Sequence, residues 1–281
     1  MSQTYTLTLS CRQRSGIVHA VSSFLFENSC DIIEHQQFDD ALGAEFFLRT
    51  SFASGDVDSA QLTDRFAEVA SRFGMAFTIT GDGLPRAVVM VSRMGHCLND
   101  LIFRWRGRIL GAELVAVVSN HENLRPMAEA AGLPFLHVPV DPTNKGQAEE
   151  RLFEIIDEFD AGLVVLARYM QILSDDACRK LHGRAINIHH SFLPGFKGAK
   201  PYHQAYDRGV KQVGATAHYV TPDLDEGPII EQEVIRIDHS YDPQRLATVG
   251  QDAEALALSR AVRWHCENRV LLHGHRTVVF K

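Results

Sequence analysis

The sequence has few cysteines, no long apolar run and a shortage of positive charge. Its five cysteines are spread widely over 281 residues, and none forms a CxxC pair. This odd number without paired spacing argues against a disulfide framework or a structural zinc site and fits a reducing compartment. Every apolar run is far shorter than the ~18 residues of a membrane span, and the N-terminus lacks a signal-peptide pattern. We therefore expect a cytoplasmic protein.

Acidic residues outnumber basic ones in the chain as a whole. The 28 Lys plus Arg against 35 Asp plus Glu give a net charge of −7 with histidine neutral. Nucleic acids and membrane surfaces are bound by basic faces, so we expect neither as a partner. Residues 1–82 alone hold five arginines and no lysine against eleven acidic residues, a balance of −6. This shift, with the turn-rich segment GDGLPR that follows, predicts a first domain over 1–82, a linker at 83–86 and a second domain over 87–281.

The first domain alternates strands and helices in the order βαββαβ. Strands are predicted at 5–11, 30–40, 44–52 and 75–80, and helices at 15–28, capped by Ser15, and 58–74, ended by Gly74. This order resembles the ACT domain, a ferredoxin-like module that often binds amino acids at a dimer interface. The resemblance implies a homo-oligomer and a possible amino-acid effector. The turn RQRSG at 12–16 departs from the family, which often has an aspartate before the glycine.

The second domain has a different pattern of elements, in which near-continuous apolar strands alternate with helices. Strands are predicted at 86–94, 113–121, 133–140 and 161–168, with helices at 95–108, 122–132 and 145–158 between them and a last helix at about 244–268. Strands of this kind are buried on both faces, which indicates an α/β fold with a mostly parallel, Rossmann-like sheet. Ligands bind such sheets beyond the carboxyl ends of the strands. We therefore looked for polar residues at those ends.

One strand end, in AINIHHSFLPGF at 185–196, carries an amide and an imidazole together. Side chains alternate along a strand, so Asn187 and His189 share one face while Ile186 and Ile188 face the core. An amide can hold a developing oxyanion, and an imidazole can move protons near neutral pH. His190 points the other way, so the two histidines make a poor metal pair. The alternative is that Asn187 and His189 only form loop hydrogen bonds.

A second polar stretch, GATAHYVTPDLDEGPIIEQEVIRI at 214–237, reads as strand, tight loop and strand. Thr216 and His218 share one face of the first strand by the same alternation. The loop holds Asp223, Asp225 and Glu226, and one of these carboxylates is a candidate to lean over the Asn187 and His189 face and fix the histidine or a water. Turns also contain aspartate simply for local hydrogen bonds, so a structural role stays open for each.

Together these motifs resemble the folate-dependent formyltransferase family. The resemblance rests on NIHHSFLPGFKGAKPYHQAYDRG, followed at the family's distance by GATAHYVTPDLDEGPII, and covers about 195 residues of the second domain. It implies that Asn187, His189 and Asp225 are catalytic. It also implies that the substrate is bound by a pteridine pocket in ARYMQILS, formed by Arg168, Tyr169, Met170, Gln171, Ile172 and Leu173, and by Thr216 and His218. Lys197 and Lys200 are candidates to meet the anionic glutamate tail of folate, or form a solvated loop.

An ACT-like module ahead of such a domain resembles the hydrolytic branch of the family. Those enzymes release formate from 10-formyltetrahydrofolate, leave tetrahydrofolate and so supply formate and balance folate pools for purine biosynthesis; no metal or other cofactor is implied. Two alternatives stay open: formyl transfer to an amine, as in glycinamide ribonucleotide transformylase, and a non-catalytic amino-acid or folate sensor. The loop SRMGHCLND at 92–100 has one glycine and several bulky side chains. It therefore makes a poor phosphate cradle, which favours hydrolysis over transfer to a ribonucleotide.

Four other features carry weaker hypotheses. Ser191 lacks the GxSxG context of a nucleophile. Cys97, beside His96, is expected to be a buried thiol rather than a reactive one. The HGH run at 273–275 lacks the further ligands that a metal site needs. After its last helix the chain leaves no room for the basic tRNA-binding domain of the methionyl-tRNA formyltransferases, so we expect no such domain.

Overall fold

The computed structural model describes residues 3–55, 57–195 and 201–281, which form two compact units. The first unit contains the chain up to Gly83 together with 268–273 and 278–281, and the second contains 84–267 and 274–277. The division after Gly83 falls at the predicted linker. The C-terminal residues, which we had assigned to the second domain, instead return to the first unit. Charge explains the return, because Arg269 lies 3.2 Å from the carboxylate of Glu34 and His273 lies 2.8 Å from that of Asp40.

The first unit has the predicted order of elements. These are β1 (Gln3–Arg12), α1 (Ile17–Glu27), β2 (Asp31–Asp40), β3 (Glu45–Ser54), α2 (Ser59–Phe73) and β4 (Ala76–Gly81). The strands lie in the order β2-β3-β1-β4, and every neighbouring pair is antiparallel. This is the ferredoxin-like arrangement, so the predicted fold of this unit is confirmed.

The core of the first unit follows from alternation along the strands. Leu7 and Leu9 of β1 are fully buried, and they pack in the same cluster as Phe24 of α1 and Phe66 of α2, whose rings meet edge to face at 5.0 Å. The predicted Ser15 cap is wrong. Helix α1 begins after Gly16, which has a φ of +94° and no side-chain cap, because the backbone turns there through a conformation that favours glycine.

The second unit is a seven-stranded sheet with helices. Its elements are β5 (Arg86–Val91), α3 (His96–Arg106), β6 (Glu113–Ser119), α4 (Arg125–Ala130), β7 (Phe135–His137), α5 (Lys145–Glu158), β8 (Leu163–Leu166), α6 (Asp175–Lys180), β9 (Ala185–His189), α7 (Pro201–Asp207), β10 (Gln212–Tyr219), β11 (Ile229–Arg236) and α8 (Pro243–Cys266). The chain ends in β12 (Val270–His273) and β13 (Arg276–Val279). The sheet order is β11-β10-β9-β8-β5-β6-β7. Strands β5 to β9 pair in parallel and β10 and β11 antiparallel, which confirms the mostly parallel α/β fold.

Several predicted elements differ in length from those observed. The strand expected at 133–140 is reduced to the three residues of β7. Its sequence contains Pro134 and Pro139, which have no N–H to donate to a strand ladder. Helices α6 and α7 and the hairpin of β12 and β13 were not predicted, since each is too short to show a clear period. Within the described residues, no helix has the length and hydropathy needed to cross a membrane.

A partly buried histidine in the second unit couples stability to pH. Burial lowers the pKa of His265 to about 4, and its Nδ1 accepts a hydrogen bond from the Tyr219 hydroxyl at 2.7 Å. The unfolded chain protonates this imidazole near its ordinary value of 6.5, whereas the folded protein keeps it neutral. Stability from this residue is therefore complete above pH 6.5 and is lost as the pH falls toward 4, by roughly 3 kcal/mol.

We expect His265→Gln to make stability less sensitive to acid. The free energy of unfolding by urea, measured at pH 7.5 and pH 5, should fall less between the two pH values in this variant than in the wild type. His182→Gln is the control, because His182 is exposed. Equal losses in His265→Gln and the wild type would contradict the assignment.

Candidate active site

Three neighbouring strands bring the site residues to one end of the sheet. Strand β9 lies between β8 and β10, with Asn187 opposite Leu166 on one side and His218 on the other. His189, two residues further along, lies opposite Thr216. The alternation predicted from the sequence therefore holds, and Asn187, His189 and His218 all line one cavity.

The amide of Asn187 is oriented by His218. The Nδ1 of His218 lies 2.9 Å from the carbonyl oxygen of Tyr219, which can only accept, so this nitrogen carries the proton. The other ring nitrogen, Nε2, then accepts from Asn187 Nδ2 at 3.3 Å. Burial lowers the pKa of His218, which keeps the ring neutral and preserves this arrangement. One N–H of Asn187 is thereby fixed, and its second N–H is free to donate elsewhere.

The imidazole of His189 is oriented by Asp225. Its Nδ1 lies 3.2 Å from Asp225 Oδ1, and the two side chains are only 7% and 16% exposed. Burial alone would raise the pKa of Asp225, but the hydrogen bond from His189 and the nearby histidines hold it below its usual range. The carboxylate is therefore ionised at neutral pH. The second ring nitrogen of His189, Nε2, is buried without a hydrogen-bond partner among the described residues, and so is placed to exchange a proton with a bound molecule.

The loop after β10 is built to hold Asp225 in this position. Asp225 has a φ of +58°, a left-handed conformation that non-glycine residues rarely adopt. At Gly227 a Cβ atom would collide with the carbonyl oxygen of Tyr219, so the loop can return against β10 only with glycine there. The turn is closed by the backbone, because Glu226 N–H donates to the Asp223 carbonyl oxygen at 3.2 Å.

His190 was predicted to point away from His189, but it lines the same cavity, because β9 ends at His189 and strand alternation does not extend to the next residue. It stacks on His189 with ring centroids 5.1 Å apart. Burial, and then the charges of Arg168 and His189, lower the pKa of His190 to about 4. The ring is uncharged at neutral pH and adds no positive charge beside His189.

A cavity of about 730 Å³ opens beside these residues, a size suited to a drug-sized ligand. Its lining includes every predicted binding residue of the loop after β8 and the three predicted catalytic residues: Arg168, Tyr169, Met170, Gln171, Ile172, Leu173, Asn187, His189 and Asp225. The loop is anchored by its backbone, because Met170 N–H donates to Ser92 Oγ at 2.9 Å, and Ser92 donates to Asn120 at 2.7 Å. Side chains at the ends of β5 and β6 thus hold the loop that forms the apolar part of the cavity.

One predicted binding residue, Thr216, is not brought to the cavity. Thr216 is fully buried and does not line it. Its hydroxyl accepts from Leu193 N–H at 3.0 Å and donates to the Ser191 carbonyl at 2.9 Å, so it holds the chain that follows β9. Lys197 and Lys200 lie outside the described residues.

The cavity also contains residues that the sequence did not indicate. Among them are Tyr202, His203, Leu224, Pro243 and Ala247. Tyr202 lies in the quoted PYHQAYD stretch, but its role depends on Glu254, a carboxylate in the middle of α8 that is 1% exposed. Nothing in the helical pattern around Glu254 marks it as buried. The pairing of Tyr202 with Glu254 could therefore be found only from the fold.

The residues with weaker functional hypotheses are engaged in contacts that stabilise the fold. Ser191 donates its hydroxyl to the Gly195 carbonyl at 2.7 Å. Cys97 is buried, and burial raises the pKa of its thiol well above the usual value, so it is not a thiolate. His96, Cys97 and Glu254 lie close enough to suggest a cation site, but the guanidinium of Arg168 already faces that carboxylate. In the HGH run, His273 pairs with Asp40 and, at 3.0 Å, with Glu45.

Comparison with known proteins agrees with this geometry. Residues 85–262 match the family model described as formyl transferase. A formyltetrahydrofolate deformylase from Corynebacterium sp. is 51% identical, over 99% of this chain and 98% of its own. The crystal structure of a formyltetrahydrofolate deformylase from Burkholderia mallei superposes with a TM-score of 0.95 at 50% identity, covering 99% of this chain and all of the other. Glycinamide ribonucleotide transformylase 1 from Symbiobacterium toebii is more distant, with a TM-score of 0.66 and 28% identity over 70% of this chain.

The catalytic unit is thus that of a formyl transferase-type enzyme. The likeness to the transformylase covers only part of the chain, whereas the likeness to the deformylases extends over both units. The chain belongs to the formyltetrahydrofolate deformylase family.

We expect Thr216→Val to destabilise the chain after β9. The substitution leaves the buried Leu193 N–H and the Ser191 carbonyl without their partner, at a cost of about 1–3 kcal/mol. Thr216→Ser keeps the hydroxyl and is the matched control. Urea unfolding should separate the two variants, and equal stabilities would show that the hydroxyl does not hold this segment.

Proposed function

We propose that this chain hydrolyses 10-formyltetrahydrofolate to formate and tetrahydrofolate in the cytoplasm, with no metal or other cofactor. The observation that carries the proposal is the convergence of Asn187, His189 and Asp225 on one cavity, with His189 Nε2 directed to no described residue. The family names of the relatives agree with this reaction. The loop after β5 carries bulky side chains, and one of them, His96, is held in place by Glu254 at 2.7 Å. This loop leaves little room for an amine acceptor and so favours water.

Asn187 stabilises the oxyanion. One of its N–H groups is held by His218, and the second donates to the formyl oxygen as water adds to the formyl carbon. A fixed donor of this kind is worth most in a site from which water is largely excluded. Because His218 is neutral, it positions the amide without adding charge.

His189 moves the proton. Its Nδ1–H is committed to Asp225, so Nε2 takes a proton from the attacking water and a tetrahedral oxyanion forms. When the oxyanion collapses, the bond from carbon to N10 breaks and Nε2 returns that proton to N10. Formic acid is the immediate product, and it loses its proton to a water molecule within the cavity, so that formate forms there.

Asp225 orients the histidine and the water. Its ionised carboxylate favours the imidazolium that forms when His189 takes the proton. One oxygen is bonded to His189, and the second is assigned to the attacking water. Folate is held by residues 169–173, and two of the apolar members, Met170 and Ile172, are more than half exposed.

We expect Asn187→Ala, His189→Ala and Asp225→Asn each to lower the single-turnover rate by about 10²–10⁴-fold while the protein stays folded. Pairs of these substitutions should lose less than the product of the single losses, because the three side chains act as one unit. Formate release from 10-formyltetrahydrofolate measures the rate, and thermal melts check folding. Asp223→Asn is the matched control, since Asp223 lies on the same turn but not in the cavity. A variant with the wild-type rate would remove its residue from the mechanism.

We also propose that the first unit mediates self-association and is the place for an amino-acid effector. Strand β2 forms an edge of the four-stranded sheet and exposes Ile32 and Ile33, the latter by 61%. An open edge with apolar side chains is a surface on which a second copy can pair.

Sedimentation of the full chain at micromolar concentration should give an oligomer. Ile33→Glu should shift the population toward monomer, because it places a charge on the open edge. Phe26→Glu, on the exposed side of α1, is the control and should not. A wild-type monomer would contradict the proposal.

An amino-acid effector bound to the first unit is expected to change the rate of formate release when single amino acids are added to the full chain.

A further inference from the structure

A buried carboxylate outside the proposed catalytic group organises one wall of the cavity. Glu254 of α8 accepts from His96 Nε2 at 2.7 Å through one oxygen and from the Tyr202 hydroxyl at 2.7 Å through the other. These hydrogen bonds and the charge of Arg168 lower the pKa of Glu254 against the opposing effect of burial, so it is ionised. At Gly250, one turn earlier on α8, a Cβ atom would collide with Tyr202. The helix therefore carries a glycine where Tyr202 must approach.

Arg168 is the positively charged member of this group. Its Nε lies 3.4 Å from Glu254, close enough for charge attraction but without a hydrogen bond. Both Nε and Nη1 are buried and have no hydrogen-bond partner within the described part of the chain. Guanidinium donors that are buried and unused in a cavity wall are available to an anion.

The backbone at Arg168 supports a role in the site. Its φ is +64°, an unfavourable conformation for a residue other than glycine, and such residues cluster at functional sites. Asp225, which is bonded to His189, shares this property. Arg168 follows Leu166 by two residues just as His189 follows Asn187, and Leu166 and Asn187 are register partners. The arginine thus stems from the strand end beside that of His189.

Arg168 is also the one lysine or arginine among the described residues that line the cavity. Its charge contributes to the low pKa of His190, the ring that stacks on His189. Its field therefore reaches the reacting region. The reaction makes an anion in that region, where Asp225 already carries a negative charge, so a fixed cation is required to offset the repulsion.

We propose that Arg168 binds the formate anion as it forms, and that Glu254 is the positioning residue that holds Arg168 for this task. Glu254 neutralises the guanidinium enough for it to be buried, yet leaves its donors uncommitted. The proposal rests on the hydrolytic function given above. It adds a product-binding group that is separate from Asn187, His189 and Asp225.

The test measures the binding of formate apart from turnover. ¹³C-labelled formate is titrated into the enzyme–tetrahydrofolate complex under anaerobic conditions and followed by NMR, and tetrahydrofolate affinity is measured separately by calorimetry. Arg168→Met should weaken formate binding about tenfold or more, the loss expected for a charge-assisted hydrogen bond, and leave tetrahydrofolate affinity nearly unchanged. Arg168→Lys should restore part of the formate affinity. Arg179→Met, an exposed arginine of α6, is the matched control and should bind both products like the wild type.

Glu254→Gln tests the positioning role. It should weaken formate binding in the wild-type background but add little to Arg168→Met, because it acts through the same arginine. If Arg168→Met does not fold by thermal melt, Arg168→Lys and Arg168→Gln take its place. Unchanged formate affinity in the arginine variants would overturn the proposal, and so would a loss confined to tetrahydrofolate, which would assign Arg168 to folate. Failure of the proposed function has a different signature, namely wild-type rates in the Asn187, His189 and Asp225 variants.

Discussion

The site depends on the register in which β9 pairs with its two neighbours. Backbone hydrogen bonds to parallel β8 and antiparallel β10 place Asn187 between Leu166 and His218. A slip of one residue would turn Asn187 and His189 to the opposite face of the sheet. The register is protected because Ile186 and Ile188 alternate with them and are buried. The hydrophobic core of the second unit thus determines the geometry of the polar site.

The titratable side chains around the cavity differ in whether they are charged. Two carboxylates are ionised there, Asp225 and Glu254, and each has cationic or hydrogen-bonding partners of its own. His190 and His218 are kept neutral by burial. Few permanent charges remain, and in a site of low dielectric each of them acts strongly on a reacting group. The neutral histidines can therefore orient or stack without competing with the charged groups.

Local patterns in the sequence revealed the strands and one pair of site residues. Alternation placed Asn187 and His189 on one face, and the apolar strands indicated the parallel sheet. Asp225 came from the family resemblance, because three acidic residues in one turn look alike until the loop is folded. Thr216 was misjudged since alternation gives the face of a strand but not the partner of a hydroxyl, which here is the chain after β9. Glu254 and the return of Arg269 to Glu34 depend on contacts between distant segments, which no local pattern encodes.

The same constellation of asparagine, histidine and aspartate does not by itself decide between water and an amine as acceptor. The oxyanion and proton steps are common to both reactions, and a transformylase shares the fold over 70% of this chain. The decision must lie in groups that surround the reacting carbon from outside β9 and the loop after β10. In this chain those groups are drawn together by Glu254, which ties the start of α3 to Tyr202 and faces Arg168. Within this wall the donors Nε and Nη1 of Arg168 have no partner among the described residues. They suit a small anion such as formate better than a large amine acceptor. A hydrolase that releases formate needs a site for that anion and none for an amine.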